Sequence, residues 1–205
     1  TGVLQDMEPI ITICRKNGAF IHSDLSQVPG KHECVLDELD LDFATISSHK
    51  FAGPVGIAGL LYKKNLHLSA QILGGGQERG MRSGTENVAG AVAMASALAE
   101  AQENLSQKIT YMLGLRQFLE NSIKAFSSDA QVVHELSNRL CNTSMLIMPG
   151  VSAKLQLIGF DLKGIALSSG SACSSGKVAN SHVLKACGFD QFLSDCAIRV
   201  SLSNN

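Results

Sequence analysis

Apolar residues recur along the chain in short blocks, and their spacing sorts the blocks into elements. Ile10, Ile13 and Cys14 fall at helical intervals within residues 5–17, and Asn17-Gly18 supplies a stop, so a helix is predicted there. Ala19 to His22 predicts a short strand ending at Ser23-Asp24, and Leu36 to Leu39 a short helical or turn element. Phe43 to Ile46 predicts a second, buried strand running into Ser47-Ser48-His49-Lys50. Val55 to Tyr62 alternates glycine with branched residues and predicts a third. Strands and helices in this rhythm indicate an α/β sheet.

The segment LGGGQERGMRSGT, residues 73–85, predicts a long loop, because three consecutive glycines hold regular structure poorly. Two long helices follow, over about 86–103 and 107–126. Asn104-Leu105-Ser106 is the junction between them, which places a domain boundary between residues 1–105 and 106–205. Beyond it come strands over 141–148, 165–168 and 197–202 and helices over 153–160 and 181–187, the pattern of a smaller α+β domain. No internal repeat or low-complexity tract occurs.

Composition narrows the function classes. The 205 residues suffice for one large domain or two small ones. With 45% hydrophobic residues, 17% charged residues and a net charge of -1, nothing marks a nucleic-acid or membrane surface. The apolar run Val92 to Leu98 is too short to span a bilayer. The opening TGVLQDMEP shows no signal-peptide pattern, and a start without Met implies a beginning mid-protein or after processing. Six cysteines, at 14, 34, 141, 173, 187 and 196, include no Cys-x-x-Cys pair, so neither a metal site nor a redox dithiol is expected. All but Cys173 are expected to be reduced and buried. A reducing compartment follows, either cytoplasm or an organelle matrix.

Several clusters carry chemistry, each with a plainer alternative. Lys50, after a strand and beside hydroxyls and an imidazole, suits a Schiff base to an aldehyde cofactor, with Ser47 and His49 holding an anion; alternatively it is a surface lysine on a polar turn. Asp24 at a strand's C-terminal end sits where α/β sheets bind ligands. There it could pair with a pyridinium nitrogen, with Gln27 reaching the ring hydroxyl, or it could simply cap the next turn. The glycine-rich loop, with Arg79 and Arg82, offers backbone N–H groups to an anion, or is a plain surface loop. Cys173, within LSSGSACSSG, is a candidate nucleophile or an idle loop cysteine. Arg199, among apolar and small residues in AIRVSLS, calls for an anion: a substrate carboxylate, or a structural ion-pair partner.

In order, VLQD, HSDLSQVPGK, SSHKFAGPVGIAGLLY, GGGQERGMRSGT, SSGSAC and IRVSLS resemble the NifS/IscS-like cysteine desulfurases, pyridoxal 5'-phosphate (PLP) enzymes of the class V aminotransferase family. The likeness runs along essentially the whole chain. It implies the PLP-dependent transferase fold type I: part of a large domain with a mostly parallel sheet, then a smaller C-terminal α+β domain. It implies that Lys50 binds PLP as a Schiff base, Asp24 pairs with the pyridine nitrogen, Gln27 contacts the phenolic oxygen, and Ser47 and His49 bind the phosphate. Thr85 would reach the cofactor phosphate of a neighbouring subunit, implying a homodimer. Cys173 would carry sulfur from L-cysteine as a persulfide, and Arg199 would grip the substrate carboxylate. Sulfur acceptors would be iron–sulfur scaffolds or the machinery of tRNA thiolation, in a bacterial cytoplasm or a mitochondrial matrix. A phosphate-binding glycine/threonine loop, a ring-stacking histidine and an asparagine just before Thr1 would lie upstream of this chain. Ser48 stands where the family commonly has glycine, and its hydroxymethyl is expected beside the phosphate. Selenocysteine lyase, another class V transaminase, or an inactive dimerisation or scaffold-binding module remain as alternatives.

Overall fold

In the computed structural model, which describes residues 1–169 and 181–203, the first helix, α1 (Met7–Lys16), opens on the Asp6 side chain, which accepts from the Glu8 N–H at 3.3 Å. Glu8 in its first turn and Arg15 and Lys16 in its last complement the helix dipole. Met7, Ile11 and Cys14 pack on Ile21, Leu41 and Ala44. Those residues belong to a three-stranded sheet of order β1 (His22–Asp24), β2 (Phe43–Ser47), β3 (Ala58–Tyr62) and to its approaches.

β1 and β2 run parallel, with His22 opposite Phe43 and Asp24 opposite Thr45. β3 returns antiparallel to β2. The described sheet is therefore mixed, with one pairing of each kind, where a mostly parallel one was expected. β1 also starts later than the apolar run predicts. The Ile21 N–H donates to the buried carboxylate of Asp42 at 2.7 Å, so a side chain holds the approach to the strand in place of a ladder partner. Asp42 is in turn held by Arg15 at 2.7 Å.

Helix α2 (Val88–Gln102) is capped by Asn87, whose side chain accepts from the Gly90 N–H at 3.0 Å. The expected break at 104–106 shrinks to one left-handed residue, Asn104 (φ 51°), and α3 (Leu105–Phe126) begins directly after it.

The chain divides into two compact units, Gln5–Ser106 and Gln107–Asn205, the second joined by Thr1–Leu4. The second unit holds an antiparallel four-stranded sheet in the order β4 (Gln131–Val132), β5 (Thr143–Ile147), β7 (Ala197–Ser201), β6 (Ser168–Ser169). Helices α4 (Ala153–Asp161), α5 (His182–Ala186) and α6 (Gln191–Ser194) accompany it. Every residue of β5 is buried. Met145 and Ile147 join a cluster with Val133, Leu184, Cys196 and Ala197, while Leu146 joins one with Ala153 and Ile198. Alternate side chains thus serve opposite faces of the sheet, as the two-residue strand period requires. The short β4 and α6 have no counterpart among the predicted elements.

A charged cluster lies inside this unit. Arg139 forms two hydrogen bonds to Glu120, at 2.8 and 3.0 Å, and the Ser144 hydroxyl donates to the same carboxylate at 2.5 Å. Arg116 donates to the Leu140 carbonyl. Glu120, Arg139 and Ser144 are all buried, so helix α3 and strand β5 are joined by polar contacts that water does not replace.

The five described cysteines are free thiols. Cys141 and Cys196 are buried as expected, but Cys14, Cys34 and Cys187 are only half-buried: Cys14 lies at the margin of a cluster, Cys34 in the irregular stretch before Leu36, and Cys187 in the turn after α5. Burial still pushes the Cys34 thiol up from its ordinary value. Among the described residues, no helix is long and apolar enough to cross a membrane.

Removing one partner from the Glu120 cluster strands the others in a dry setting. Glu120→Gln is expected to lower the unfolding free energy by about 3 kcal/mol in urea denaturation. Burial alone would raise the Glu120 pKa, but the Arg139 and Ser144 hydrogen bonds outweigh it and hold the group below its ordinary 4.5. The stabilisation is therefore complete above that value and lost as pH falls through the depressed pKa, so the gap between wild type and variant should close on acidification.

Candidate active site

The C-terminal ends of the adjacent parallel strands β1 and β2 carry Asp24, Gln27, Ser47, His49 and Lys50, at the edge where α/β sheets bind ligands. Asp24 ends β1 with its side chain exposed. Its Oδ1 accepts from the Ser26 N–H at 2.9 Å, so it does cap the following turn. Hydrogen bonds from the Ser26 hydroxyl and N–H, chiefly, hold its carboxyl below the ordinary 3.8. Asp24 is therefore ionised at neutral pH and oriented by the turn it caps. A carboxylate in that state suits a cationic ring nitrogen.

Gln27 follows in the same turn, exposed, with its Oε1 3.4 Å from the Lys31 Nζ. Ser47 ends β2, and its Oγ lies 3.0 Å from Nδ1 of the exposed His49. Either assignment of that proton leaves a donor for an anion. If the hydroxyl donates, Nε2–H of the neutral ring is free; if Nδ1–H donates, the hydroxyl is free.

Lys50 is half-buried and sits inside a short 3₁₀ turn, Ser48–Phe51, one step beyond the strand. The turn closes through left-handed Ala52 (φ 64°) and a Gly53 N–H donated to the Ser48 carbonyl at 3.0 Å. Lys31 donates to the Lys50 carbonyl at 2.7 Å. Lys31 and Ser26 lie in the segment HSDLSQVPGK without any local pattern that marks them; the four-residue offset of Gln27 and Lys31 is the signal the sequence offers.

Ser48 corrects an expectation. It is 0% exposed, its Oγ lacks a hydrogen-bond partner among the described residues, and it faces Gly53. A Cβ on Gly53 would fall 2.1 Å from that Oγ and 3.2 Å from the Ala97 Cβ of α2. The extra hydroxymethyl is thus packed inward under helix α2, away from any anion at Ser47 and His49.

The loop 73–85 folds on itself. The Ser83 hydroxyl donates to the Leu73 carbonyl at 2.9 Å and the Ser83 N–H to the Ile72 carbonyl at 3.0 Å. Gln77 accepts from the Gly84 N–H at 3.4 Å, Arg82 donates to the Ser83 carbonyl at 2.8 Å, and Arg79 lies exposed in a left-handed conformation (φ 57°). Thr85 stands exposed just before α2.

Arg199 belongs to the second unit. It is half-buried in the middle of β7, opposite Met145 on one side and Ser168 on the other. Its buried Nε lacks a hydrogen-bond partner among the described residues, and no ion pair to it occurs among them. The alternative of a structural ion pair therefore gains no support. Cys173 lies outside the described residues.

The Ser48–Gly53 contact gives a direct prediction. Ser48→Ala removes a buried hydroxyl without a partner and should raise the thermal midpoint. Gly53→Ala should cost about 1–3 kcal/mol through overpacking, and Ser48→Gly in the same chain should recover much of the loss. Thermal unfolding followed by circular dichroism checks both.

Comparison with known proteins identifies the family. The model of the family described as "Aminotransferase class-V" matches residues 1–205. The cysteine desulfurase IscS of Haemophilus influenzae is 39% identical over 207 aligned residues, covering 98% of this chain and 50% of that protein. The cysteine desulfurase of Gluconacetobacter diazotrophicus is 34% identical, covering 99% of this chain and 51% of its own length. The crystal structure of a NifS-like protein from Rickettsia africae superposes with a TM-score of 0.89 at 38% identity, over 100% of this chain and 54% of that one. The chain thus spans about half the length of the curated relatives it matches. By family model, sequence and superposition alike, the chain belongs to the class V aminotransferase family, within the NifS-like fold.

Proposed function

We propose that this chain forms the C-terminal part of a PLP-dependent cysteine desulfurase, which takes sulfur from L-cysteine and releases L-alanine. The family is PLP-dependent, and the residues at the β1 and β2 ends fit that cofactor. One observation carries the reading. An ionised carboxylate, an outward-facing amide, a Ser–His donor pair and a half-buried lysine follow one another along two adjacent parallel strand ends.

When bound, PLP supplies an electron sink that makes the substrate's α-proton acidic. The chain's own groups do the rest. Asp24 would hold a proton on the ring nitrogen, Gln27 would meet the phenolic oxygen, and the Ser47–His49 pair would donate to the phosphate. Lys50 would hold the cofactor through its Nζ, and the same amine would move the α-proton. Arg199 takes the substrate carboxylate in a two-pronged grip, consistent with a buried Nε that has no described partner. The Cys173 thiolate attacks the substrate sulfur, which leaves the amino acid as a persulfide on the protein. Thr85 serves the phosphate site of a second copy in a homodimer. The persulfide sulfur then passes to an acceptor protein of iron–sulfur assembly or tRNA thiolation.

The test uses the whole protein that carries this chain. Borohydride reduction in the presence of PLP should fix a pyridoxyl group on Lys50, located by peptide mass. Lys50→Ala should lose both the label and sulfide release from L-cysteine. Cys173→Ser should keep the label while sulfide release falls at least about a hundredfold. A label elsewhere, or sulfide release untouched in Cys173→Ser, would overturn the assignment.

A further inference from the structure

We infer that Lys31 is a positioning residue of the cofactor site, which orients the Gln27 amide and anchors the backbone of Lys50; this rests on the PLP reading above. The ammonium of Lys31 lies 2.7 Å from the Lys50 carbonyl and 3.4 Å from Gln27 Oε1, at the long end of hydrogen-bond range. It thereby ties the turn after β1 to the turn after β2.

The first contact works on the backbone. A short 3₁₀ turn leaves its last carbonyls without partners inside it. Here the N–H groups of Ala52 and Gly53 both go to the Ser48 carbonyl. The Lys50 carbonyl is capped by a side-chain cation, a charge-assisted bond at the negative end of the turn. Lys31 itself is held in a turn of its own, with its N–H donating to the Val28 carbonyl at 3.0 Å. Left-handed Gly30 (φ 75°) precedes it, packed so closely that an added Cβ would lie 3.3 Å from the Ala101 Cβ. Its reach to Lys50 is set by packing on α2.

The second contact works on chemistry. An ammonium donates and never accepts, so only the amide oxygen of Gln27 can face Lys31. The NH₂ group must then face away. A donor directed outward from Gln27 matches the phenolate oxygen of the cofactor ring. A flipped amide would set oxygen against oxygen. Lys31 thus decides which end of Gln27 the ring meets, without touching the ring.

The experiment follows PLP in the whole protein by absorbance. Lys31→Met should weaken PLP binding about tenfold and move the pH midpoint of the bound cofactor's visible band upward by about one unit, because a phenolate that has lost its donor holds its proton more tightly. Lys31→Arg, which still donates to both oxygens, should restore both values to near wild type. In a Gln27→Ala background, Lys31→Met should no longer move the midpoint, which separates an effect on the amide from general loosening. A Lys31→Met protein that binds and titrates as wild type, or a Lys31→Arg protein as impaired as Lys31→Met, overturns the inference. If Lys31→Met does not fold, Lys31→Gln is read by the same titration, since its amide can pair with Gln27 in either orientation and should leave the midpoint displaced. Absence of any borohydride-fixed label on wild-type Lys50 overturns the PLP reading itself, a result distinct from a normal label with an unmoved midpoint.

Discussion

The carboxylate of Asp42 aligns the first unit. Buried at the start of β2, it accepts the Ile21 N–H on one side and Arg15 of α1 on the other, each at 2.7 Å. The Arg15 contact, above all, keeps it ionised, with the Ile21 N–H assisting. A charge in that position cannot shift along a neighbouring strand without losing its partners, so it pins β1 to β2 in register. Everything at the far end of those strands inherits that register. Asp24 comes to rest opposite Thr45, and the chain leaving β2 delivers Ser47, His49 and Lys50 beside the turn that carries Gln27. The chemistry at one end of the strands is indexed by an ion pair at the other.

The second unit uses the same device in a different place. Glu120 on α3 joins Arg139 and Ser144, and Ser144 lies on β5 opposite Val200 of β7. Met145, the next residue, lies opposite Arg199. The strand that carries Arg199, whose Nε has no partner among the described residues, is thus paired with one whose position is fixed by buried polar contacts. In both units an arginine–carboxylate contact serves placement, and the groups of chemical interest take no part in it.

Much of this was legible in the sequence because it depends on local pattern. Helices α1, α2 and α4 and strands β2, β5 and β7 follow apolar periodicity and recognisable stops. The strand-end placement of Asp24 and the sequence neighbours of Lys50 could be read for the same reason. What was not legible depends on contacts distant in sequence. The late start of β1 comes from Asp42, 21 residues beyond Ile21. The antiparallel return of β3 is a matter of topology that an alternating apolar run does not encode. The inward direction of Ser48 depends on Gly53 and Ala97, and the role of Lys31 depends on a carbonyl 19 residues away. The half-burial of Cys187 likewise follows from its place at the end of α5, where His134 comes within 3.1 Å of its sulfur.

The meeting of Ser48 with Gly53 also bears on the history open to this chain. With the hydroxymethyl in place, position 53 has no room for any side chain. With glycine at 48 the severest of these contacts would go, leaving a Cβ at 53 tight against the backbone carbonyl at 48, at 3.1 Å, and the Ala97 Cβ, at 3.2 Å. The two sites are therefore linked in order: even alanine at 53 is eased only where 48 has first become smaller. A single hydroxyl buried five residues from its obstacle makes the next permitted substitution depend on the last one, a form of memory held in the fold.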